Sequence, residues 1–471
     1  MRHEMRRLTG VPMPGEIDAR CRAIPPNHNI LLFPKGISTL SRVSGHEHKK
    51  MCSILLGLII GLPVPDGWDS SRIVKSTRAL LEFLFLAQYR SHTTASIERL
   101  QDSLTAFHNS KAVFIDVGAQ KNFNFPKLHS LLHYASSIQL FGTTDNYNTE
   151  QSECLHIDLA KNAYRATNHK DEYPQMVAWL ERREKIERHA TSIDMRQDLH
   201  AQTQSVAGPP CACTQSVKMA RRPSVKAVTF DDLKLRYGAL KFQDALADFI
   251  AHVNNPGARG NTLSRYAENT LIPFCQVPVF HIIKFMATGN TEETGTADSV
   301  YARPEQRDMC GRIIPPCFDT VLVQNPSSDT KQGQVKGKSY WSSVNLTDRY
   351  SGLQVAQVHT VFHLPNRAVR EVCPSLDTSP ATFLAYVEWF SPLVAIPDAA
   401  HRMYQVSRMM KDGEPCGGII PVDWVLRSVH LLPCFGPVVP QQWSSFTVLD
   451  QCQTFYLNPF TDVYSYISLC R

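Results

Sequence analysis

The chain has 471 residues, of which 43% are hydrophobic and 20% are charged. A chain of this length and composition can bury a core and hold two or three domains, so a wholly disordered protein is excluded. Lys and Arg total 49 against 43 Asp and Glu, a net charge of +6. This excess permits contact with nucleic acid but does not define a concentrated basic domain.

The cysteines and the apolar runs narrow the class of protein further. The thirteen cysteines are an odd number and form no CxxC pair, so we predict neither a disulfide framework nor a zinc finger, and a reducing compartment. The charged N-terminus has no apolar stretch behind it, which argues against a signal peptide. The longest apolar run, 51–62, is shorter than the roughly 20 residues that span a bilayer. It predicts a buried helix and no membrane partner.

Proline spacing predicts helices in the first part of the chain. No proline lies between Pro65 and Pro126 or between Pro126 and Pro174, and apolar residues recur there at helical spacing. Predicted helices cover Arg78–Tyr89, the repeat from Ile97 to Phe107, a segment from Pro126 with Leu128, Leu131, Leu132, Ala135 and Ile138 on one face and Gly142 at its end, Glu150–Ala166 after a cap at Asn148 or Thr149, and Tyr173–His189.

Beyond residue 200 the sequence becomes rich in short strand-like runs. Residues 201–226, with Gly208-Pro209-Pro210 and the basic cluster Lys218–Arg222, are predicted to be a linker. Residues 227–471 are predicted to form a β-rich domain, a small barrel or an antiparallel sheet, with a polar mobile segment within 286–350 that includes Gln324–Lys338. The fold class is therefore α+β, with a helical domain over 15–200. The predicted strands are Gln354–Phe362, Thr382–Phe390, His401–Arg408, Ser428–Leu432 and Thr454–Asn458.

Acidic side chains on the helix predicted from Glu150 are the main candidates for chemistry. Glu150 and Glu153 lie three residues apart and share a helical face with His156. A carboxylate in the first helical turn is favoured by the helix dipole and stays ionised, as a magnesium ligand must. The alternative is a capping glutamate on a solvated face. For the metal role, Glu153 must reach a cleft while Leu155 and Leu159 point inward.

Three other groups allow both a functional and a structural interpretation. His129 and His133 have the i, i+4 spacing of a zinc site, but Ser130 replaces the glutamate of a HExxH motif, and packing histidines are the alternative. Asp116 lies in an apolar run and is interpreted as structural. Tyr386, Trp389 and Phe390 are either an aromatic cage or core side chains.

The segment Trp179–His189 mixes both signs of charge at helical spacing. This pattern favours a surface helix with several ion pairs between its own side chains, and DNA contact is the alternative. The basic side chains proposed for DNA contact are Lys161, Arg165, Arg182 and Arg183.

With these residues in view, the chain resembles the C-terminal portion of the Plavaka-type transposases of fungi, a branch of the CACTA superfamily of DDE transposases. The resemblance is carried over 15–200 by Phe33-Pro34-Lys35-Gly36-Ile37-Ser38, Gly45-His46-Glu47-His48-Lys49, Phe123-Asn124-Phe125-Pro126-Lys127-Leu128-His129, Phe141–Glu150 and Asn168-His169-Lys170-Asp171-Glu172. A looser likeness follows in Leu384–Phe390 and Phe455–Phe460.

The resemblance implies a nuclear enzyme that cleaves and transfers DNA strands with two Mg²⁺ ions held by two aspartates and one glutamate. Glu153 stands at the glutamate position, with Glu150 as competitor, whereas Cys154 replaces an expected arginine. The region with the two aspartates lies upstream of this chain in the family. We therefore expect a truncated or decayed transposase without strand-transfer activity, so whether it is an enzyme stays open.

A second class of function is compatible with the same sequence. The chain is alternatively a non-catalytic nuclear module whose β-rich domain contacts DNA or chromatin proteins. Association with an intact transposase is a further expected partnership. Magnesium-dependent nicking would favour the enzyme, and salt-sensitive DNA binding without cleavage would favour the module.

Overall fold

The computed structural model describes residues 13–63, 70–202, 214–255, 258, 260–288, 298–324, 353–365, 369, 371–373, 383–393 and 396–470. Helices dominate the part before residue 203, and antiparallel strands dominate the part after residue 213. The predicted α+β class, with a helical N-terminal part followed by a β-rich part, is confirmed. Within these residues, no helix is both long and apolar enough to cross a membrane.

The first five helices form where the sequence supplies caps and apolar faces. They are α1 (Met13–Arg22), α2 (Gly45–Ile59), α3 (Ser70–Leu86), α4 (Thr94–Ser110) and α5 (Val113–Asp116). Ser44 and Glu47 form a capping box at the start of α2, which satisfies two backbone N–H groups. Helix α3 begins eight residues before the predicted Arg78 because Val74 extends its buried face.

The segment after Pro126 is helical but interrupted. It consists of α6 (Pro126–Ser130), a 3-10 turn (Leu131–His133) and α7 (Tyr134–Phe141). Gly142 ends it with φ +88°, as predicted. Leu132, expected on the buried face, is 52% exposed, because a 3-10 turn has three residues per turn and breaks the phase of the α-helical stripe.

Two further helical segments complete this part. The predicted helix from Glu150 is confirmed as α8 (Glu150–His156), a π-helical turn (Ile157–Lys161) and α9 (Asn162–Arg165). The predicted helix Tyr173–His189 is longer, because α10 runs over Glu172–Gln202, about 46 Å at 1.5 Å per residue. Its exposed charges form i, i+4 ion pairs, which add little stability individually. The pairs are Glu181 with Lys185, Arg183 with Glu187, and Glu184 with Arg188.

The β-rich part combines seventeen described strands with five short helices. The helices are α11 (Phe230–Arg236), α12 (Phe242–Asn254), α13 (Asn261–Glu268), α14 (Val448–Gln451) and α15 (Val463–Leu469). The strands are β1 (Thr214–Lys218), β2 (Val225–Thr229), β3 (Gln276–Phe280), β4 (Ile282–Thr288), β5 (Asp298–Arg303), β6 (Gln306–Arg307), β7 (Ile313–Ile314), β8 (Cys317–Phe318), β9 (Thr320–Gln324), β10 (Leu353–Phe362), β11 (Leu384–Pro392), β12 (Gln405–Ser407), β13 (Met410–Lys411), β14 (Glu414–Pro415), β15 (Gly417–Pro421), β16 (Val425–Pro433) and β17 (Thr454–Asn458).

The strands form two main antiparallel sheets. One follows the order β12-β17-β16-β9-β10-β11-β15, with β3 paired to the end of β10 and to β2, and the other follows β1-β4-β5-β8. Strand β10 is nearly fully buried and pairs with β9, β3 and β11. The predicted strand His401–Arg408 shortens to β12, because Asp398 forms a turn with the backbone N–H groups of Ala400 and His401.

Two predictions on chain organisation need correction. Part of the predicted linker 201–226 is β-structure, because β1 pairs with β4 and β2 pairs with β3; residues 203–213 lie outside the described part. The region 286–350, within which a polar mobile segment was predicted, contains β5 and β9, and β9 lies in the middle of the larger sheet. Residues 289–297 and 325–350, which include most of Gln324–Lys338, lie outside the described residues.

The first helices and the last strands share one hydrophobic core. Arg20, which is fully buried, donates hydrogen bonds to the Leu58 and Ile60 carbonyls at 2.8 and 2.7 Å and to the Gly436 carbonyl at 2.5 Å. Asn458 Nδ2 donates to the Ser53 carbonyl at 2.8 Å. The predicted domain boundary divides the sequence into a helical and a β-rich part. Residues near both ends of the described chain nevertheless pack together in one core.

Candidate functional site

The helix that carries Glu153 is accessible on its surface. Glu153 lies in the middle of α8 and is exposed, and its carboxylate pairs with no other side chain among the described residues. Glu150 is the first residue of the same helix. His156 ends it and is also exposed. Glu153 thus meets solvent, as a metal ligand requires, but nothing in this part of the chain orients it.

Among the described side chains, the donor set around Glu153 does not fit two magnesium ions. No group of three or more His, Cys, Asp and Glu side chains suited to a metal occurs in the described chain. Two-metal catalysis needs carboxylates that bridge and flank ions about 4 Å apart. Glu153 alone cannot supply that arrangement.

The other candidate metal ligands, Asp116, His129 and His133, contact side chains of the protein itself. Asp116 ends the helical turn α5, and its carboxylate accepts a hydrogen bond from Arg72 at 2.9 Å in an exposed ion pair. The rings of His129 and His133 are 5.1 Å apart and meet edge to face. Neither histidine belongs to a metal-binding group among the residues described.

Leu155 and Leu159 do not point inward as predicted. They are 49% and 46% exposed, and Ile157 between them is 43% exposed. Fourteen of the thirty exposed large hydrophobic side chains of the described chain lie between Phe125 and Met195. The prediction failed because helical periodicity marks an apolar face but does not say whether this chain covers it. The helices around Glu153 present uncovered apolar surface.

The four basic residues proposed for DNA contact differ in availability. Lys161, Arg165 and Arg182 are exposed. Arg183 is engaged within the protein, since its guanidinium donates to Glu187 at 2.7 Å, lies 3.8 Å from the Asp158 carboxylate, and stacks over the Trp179 ring at 5.7 Å. Three of the four are therefore free to meet an anion.

The proposed aromatic cage is not formed. Tyr386 and Phe390 are fully buried in β11 and belong to different parts of the core. Tyr386 packs on Phe242 with ring centroids 5.9 Å apart, whereas Phe390 packs on Phe455 at 5.7 Å. Core packing accounts for both side chains.

The basic cluster Lys218–Arg222, noted in the sequence as part of a linker, extends in the structure to Lys284 and forms a basic surface in the β-rich part. Lys218 of β1 stands directly opposite Lys284 of β4, and both side chains are exposed. Like charges directly opposite on a sheet are destabilising. Neither lysine forms an ion pair with a described carboxylate, and Arg221 and Arg222 follow in the exposed turn after β1. Lys284 is 66 residues from Lys218 in the chain, so only the strand pairing shows that Lys284 joins the cluster.

A buried ionic network lies at the centre of the larger sheet. Arg408 donates to Glu388 at 2.6 Å, to Gln357 at 2.5 Å and to the Leu449 carbonyl at 2.7 Å. His359 Nε2 lies 3.3 Å from the Glu388 carboxylate. Burial alone would raise the pKa of Glu388, but His359 and Arg408 hold it below its usual value. His359 Nε2 and Arg408 Nε have no hydrogen-bond partner among the described residues, and the network is enclosed within the sheet, so it offers no open site to a ligand.

Comparisons with known proteins give one partial match. Residues 194–411 match the model of a domain of unknown function, DUF6830. The matched segment covers less than half of the chain, begins near the end of α10 and ends with β13. It includes the basic surface and excludes α8 with Glu153. Searches of curated proteins and of solved structures found no match.

Proposed function

We propose that this protein is a decayed, transposase-derived protein that binds DNA in the nucleus and no longer cuts it. Its ancestral chemistry is strand cleavage and transfer with two Mg²⁺ ions, as expected from its resemblance to the Plavaka-type transposases. The observation that carries the proposal is Glu153 itself. It lies exposed on a helix surrounded by uncovered apolar side chains, without a second described carboxylate to complete a metal site.

The uncovered apolar side chains support this ancestry. In the transposases that this chain resembles, a sheet supplies two aspartates and a helix supplies the glutamate, and a helix that packs on a sheet needs an apolar face. Ile157 lies four residues after Glu153, on the same face of the helix, and is exposed, whereas Leu155 and Leu159 are exposed on the opposite face. The same surface suits association with an intact transposase, which would provide a sheet of the required kind.

Titration with MnCl₂ tests the loss of the metal site. Mn²⁺ binds oxygen ligands as Mg²⁺ does and gives calorimetric heats. We expect no saturable, submillimolar binding, and identical titrations for the wild type and Glu153→Ala. Two saturable sites that disappear in Glu153→Ala would contradict the proposal.

The basic surface favours the second candidate, a non-catalytic module that contacts DNA or chromatin. Lys218 and Lys284 place two unpaired charges side by side. An anion between them would remove their mutual repulsion. Histone tails are basic, so DNA is the partner that this charge favours over the histone component of chromatin.

Fluorescence anisotropy of a labelled 20-bp duplex tests DNA binding. The change is Lys218→Gln with Lys284→Gln, and the control is Lys35→Gln with Lys411→Gln, two exposed lysines elsewhere with the same loss of charge. Each lost phosphate contact should lower the slope of log K against log salt by about 0.9. We expect the first pair to weaken binding about tenfold at 0.1 M salt. Equal effects of the two pairs would show that this surface has no special role.

A further inference from the structure

An open cleft of about 500 Å³ lies in the β-rich part, and no residue of the Glu153 helix lines it. It is lined by Leu235, Arg236, Pro304, Glu305, Gln306 and Arg307. Arg236 is the last residue of α11, and Arg307 belongs to β6, so two separate elements bring the two guanidinium groups to one cleft. Both arginines are exposed, and neither forms an ion pair with a described carboxylate.

A chain of hydrogen bonds fixes the inner wall of this cleft. Gln306 Nε2 lies 3.2 Å from His281 Nδ1, and His281 Nε2 lies 3.0 Å from the Tyr237 hydroxyl. With the amide of Gln306 as donor, the ring is neutral and donates from Nε2 to Tyr237. Tyr237 is 1% exposed and directly follows Arg236. The buried chain therefore positions one polar lining residue and anchors the end of the helix that carries the other charge.

The electrostatic surroundings of the cleft are positive. Arg303, adjacent to the lining residue Pro304, has its Nε buried without a hydrogen-bond partner among the described residues. Burial lowers the pKa of His281, and the charges of Arg303 and Arg236 lower it further. Both arginines therefore lie close enough to His281 to disfavour a further positive charge there. Glu305 is the single acidic residue of the lining.

We propose that this cleft binds a phosphate group, with Arg236 and Arg307 as its charged ligands and Gln306 as a fixed hydrogen-bond partner. Arginine suits this role because its planar guanidinium makes paired, charge-assisted hydrogen bonds to phosphate oxygens. The phosphate belongs either to a DNA backbone or to a small phosphorylated molecule. The DNA source rests on the proposed function, whereas phosphate binding itself does not. His281 immediately precedes β4, the strand with Lys284, so the cleft and the basic surface are joined by one strand.

Two titrations of the full-length protein test this proposal. The first measures binding of inorganic phosphate by calorimetry, with acetate at the same ionic strength as the comparison anion. The second measures binding of the 20-bp duplex by anisotropy. The test variant is Arg236→Gln with Arg307→Gln, and the control is Arg42→Gln with Arg265→Gln, two exposed arginines outside the cleft. Circular dichroism checks that both variants are folded.

We expect the test variant to weaken phosphate binding at least about tenfold, since each charge-assisted hydrogen bond is among the strong ones, and the control to leave it unchanged. Glu305→Gln should tighten phosphate binding a few fold, because it removes the opposing charge. A parallel loss of duplex binding identifies the ligand as DNA backbone, and retained duplex binding identifies a small phosphate compound. Equal affinity for acetate and phosphate, or equal effects of the test and control variants, would overturn the proposal.

Discussion

Acidification should destabilise the protein through His430. This side chain is 1% exposed in β16, where its Nε2 donates to the Pro25 carbonyl at 3.1 Å and its Nδ1 accepts from Asn458 Nδ2 at 3.1 Å. Asn458 Nδ2 also donates a hydrogen bond to the Ser53 carbonyl. Both ring nitrogens are thus satisfied in the neutral form, and a proton on Nδ1 would face the amide N–H of Asn458.

The size of this loss of stability follows from the pKa of His430. Burial lowers the pKa of His430 to about 4, against about 6.5 in the unfolded chain. Because the folded-state pKa is depressed, the unfolded state binds the proton first as pH falls below about 6.5. The contribution of neutral His430 to the free energy of unfolding is complete above that pH and is lost towards pH 4. At about 1.4 kcal/mol per pKa unit, the loss at pH 4 is about 3 kcal/mol.

Urea unfolding at pH 7, 5.5 and 4 tests this value, with His430→Gln as the matched variant. Glutamine does not titrate and keeps a donor for the Pro25 carbonyl. Burial raises the pKa of Asp319 to about 7, so Asp319 gives the opposite trend, but it is present in both proteins and cancels in their difference. The stability advantage of the wild type should shrink by about 3 kcal/mol between pH 7 and pH 4. Parallel stability curves would refute the reasoning.

Three further substitutions probe the packing. Gly57→Ala places a methyl group 2.7 Å from the Leu432 side chain. The clash should outweigh the gain in helix propensity and lower the free energy of unfolding in urea by about 1–2 kcal/mol. A stabilised variant would contradict the contact between α2 and β16. Glu388→Ala removes the carboxylate at 2.6 Å from buried Arg408 and leaves, among the described carboxylates, only Asp450 at 3.6 Å, so it should cost about 3 kcal/mol. Glu388→Leu with Arg408→Met should cost less in the same assay, and equal losses would show that the weakly paired buried charge is not the cause. Leu155→Ser should change the thermal midpoint little, since exposed sites usually stay within about 0.5 kcal/mol; a large drop would mean that this leucine is buried.

Local patterns predicted most helices of the N-terminal part and several strands after Leu353, but none of the strands β1–β9 and none of the helices α11–α13. The β17 prediction matches Thr454–Asn458 residue for residue, because aromatic and β-branched residues between turn formers specify a strand without reference to the rest of the chain. The helix from Glu150 begins where it was predicted, but a π-helical turn at Ile157–Lys161 interrupts it. Its burial was not predicted correctly, since Leu155 and Leu159 have the periodicity of a packed face and no cover in the described chain.

Long-range pairing was the part that the sequence did not reveal. Lys218 was assigned to a linker from its Pro, Gly and basic neighbours, and its contact with Lys284 depends on the register between β1 and β4. Likewise Arg236 and Arg307 line one cleft although 71 residues separate them in the chain. A charge pattern along one helix can be found from sequence spacing alone. A site built from two strands and a helix end can be identified only when the pairing of those elements is known.

Incubation of supercoiled plasmid with the purified protein in Mg²⁺ tests the central claim most directly. The products are analysed on a native gel and, after removal of protein, on a second gel. We predict retardation on the native gel that fades as salt rises, and fully supercoiled plasmid on the second gel. Nicked or linear plasmid that requires Mg²⁺ and disappears with Glu153→Ala would contradict the account.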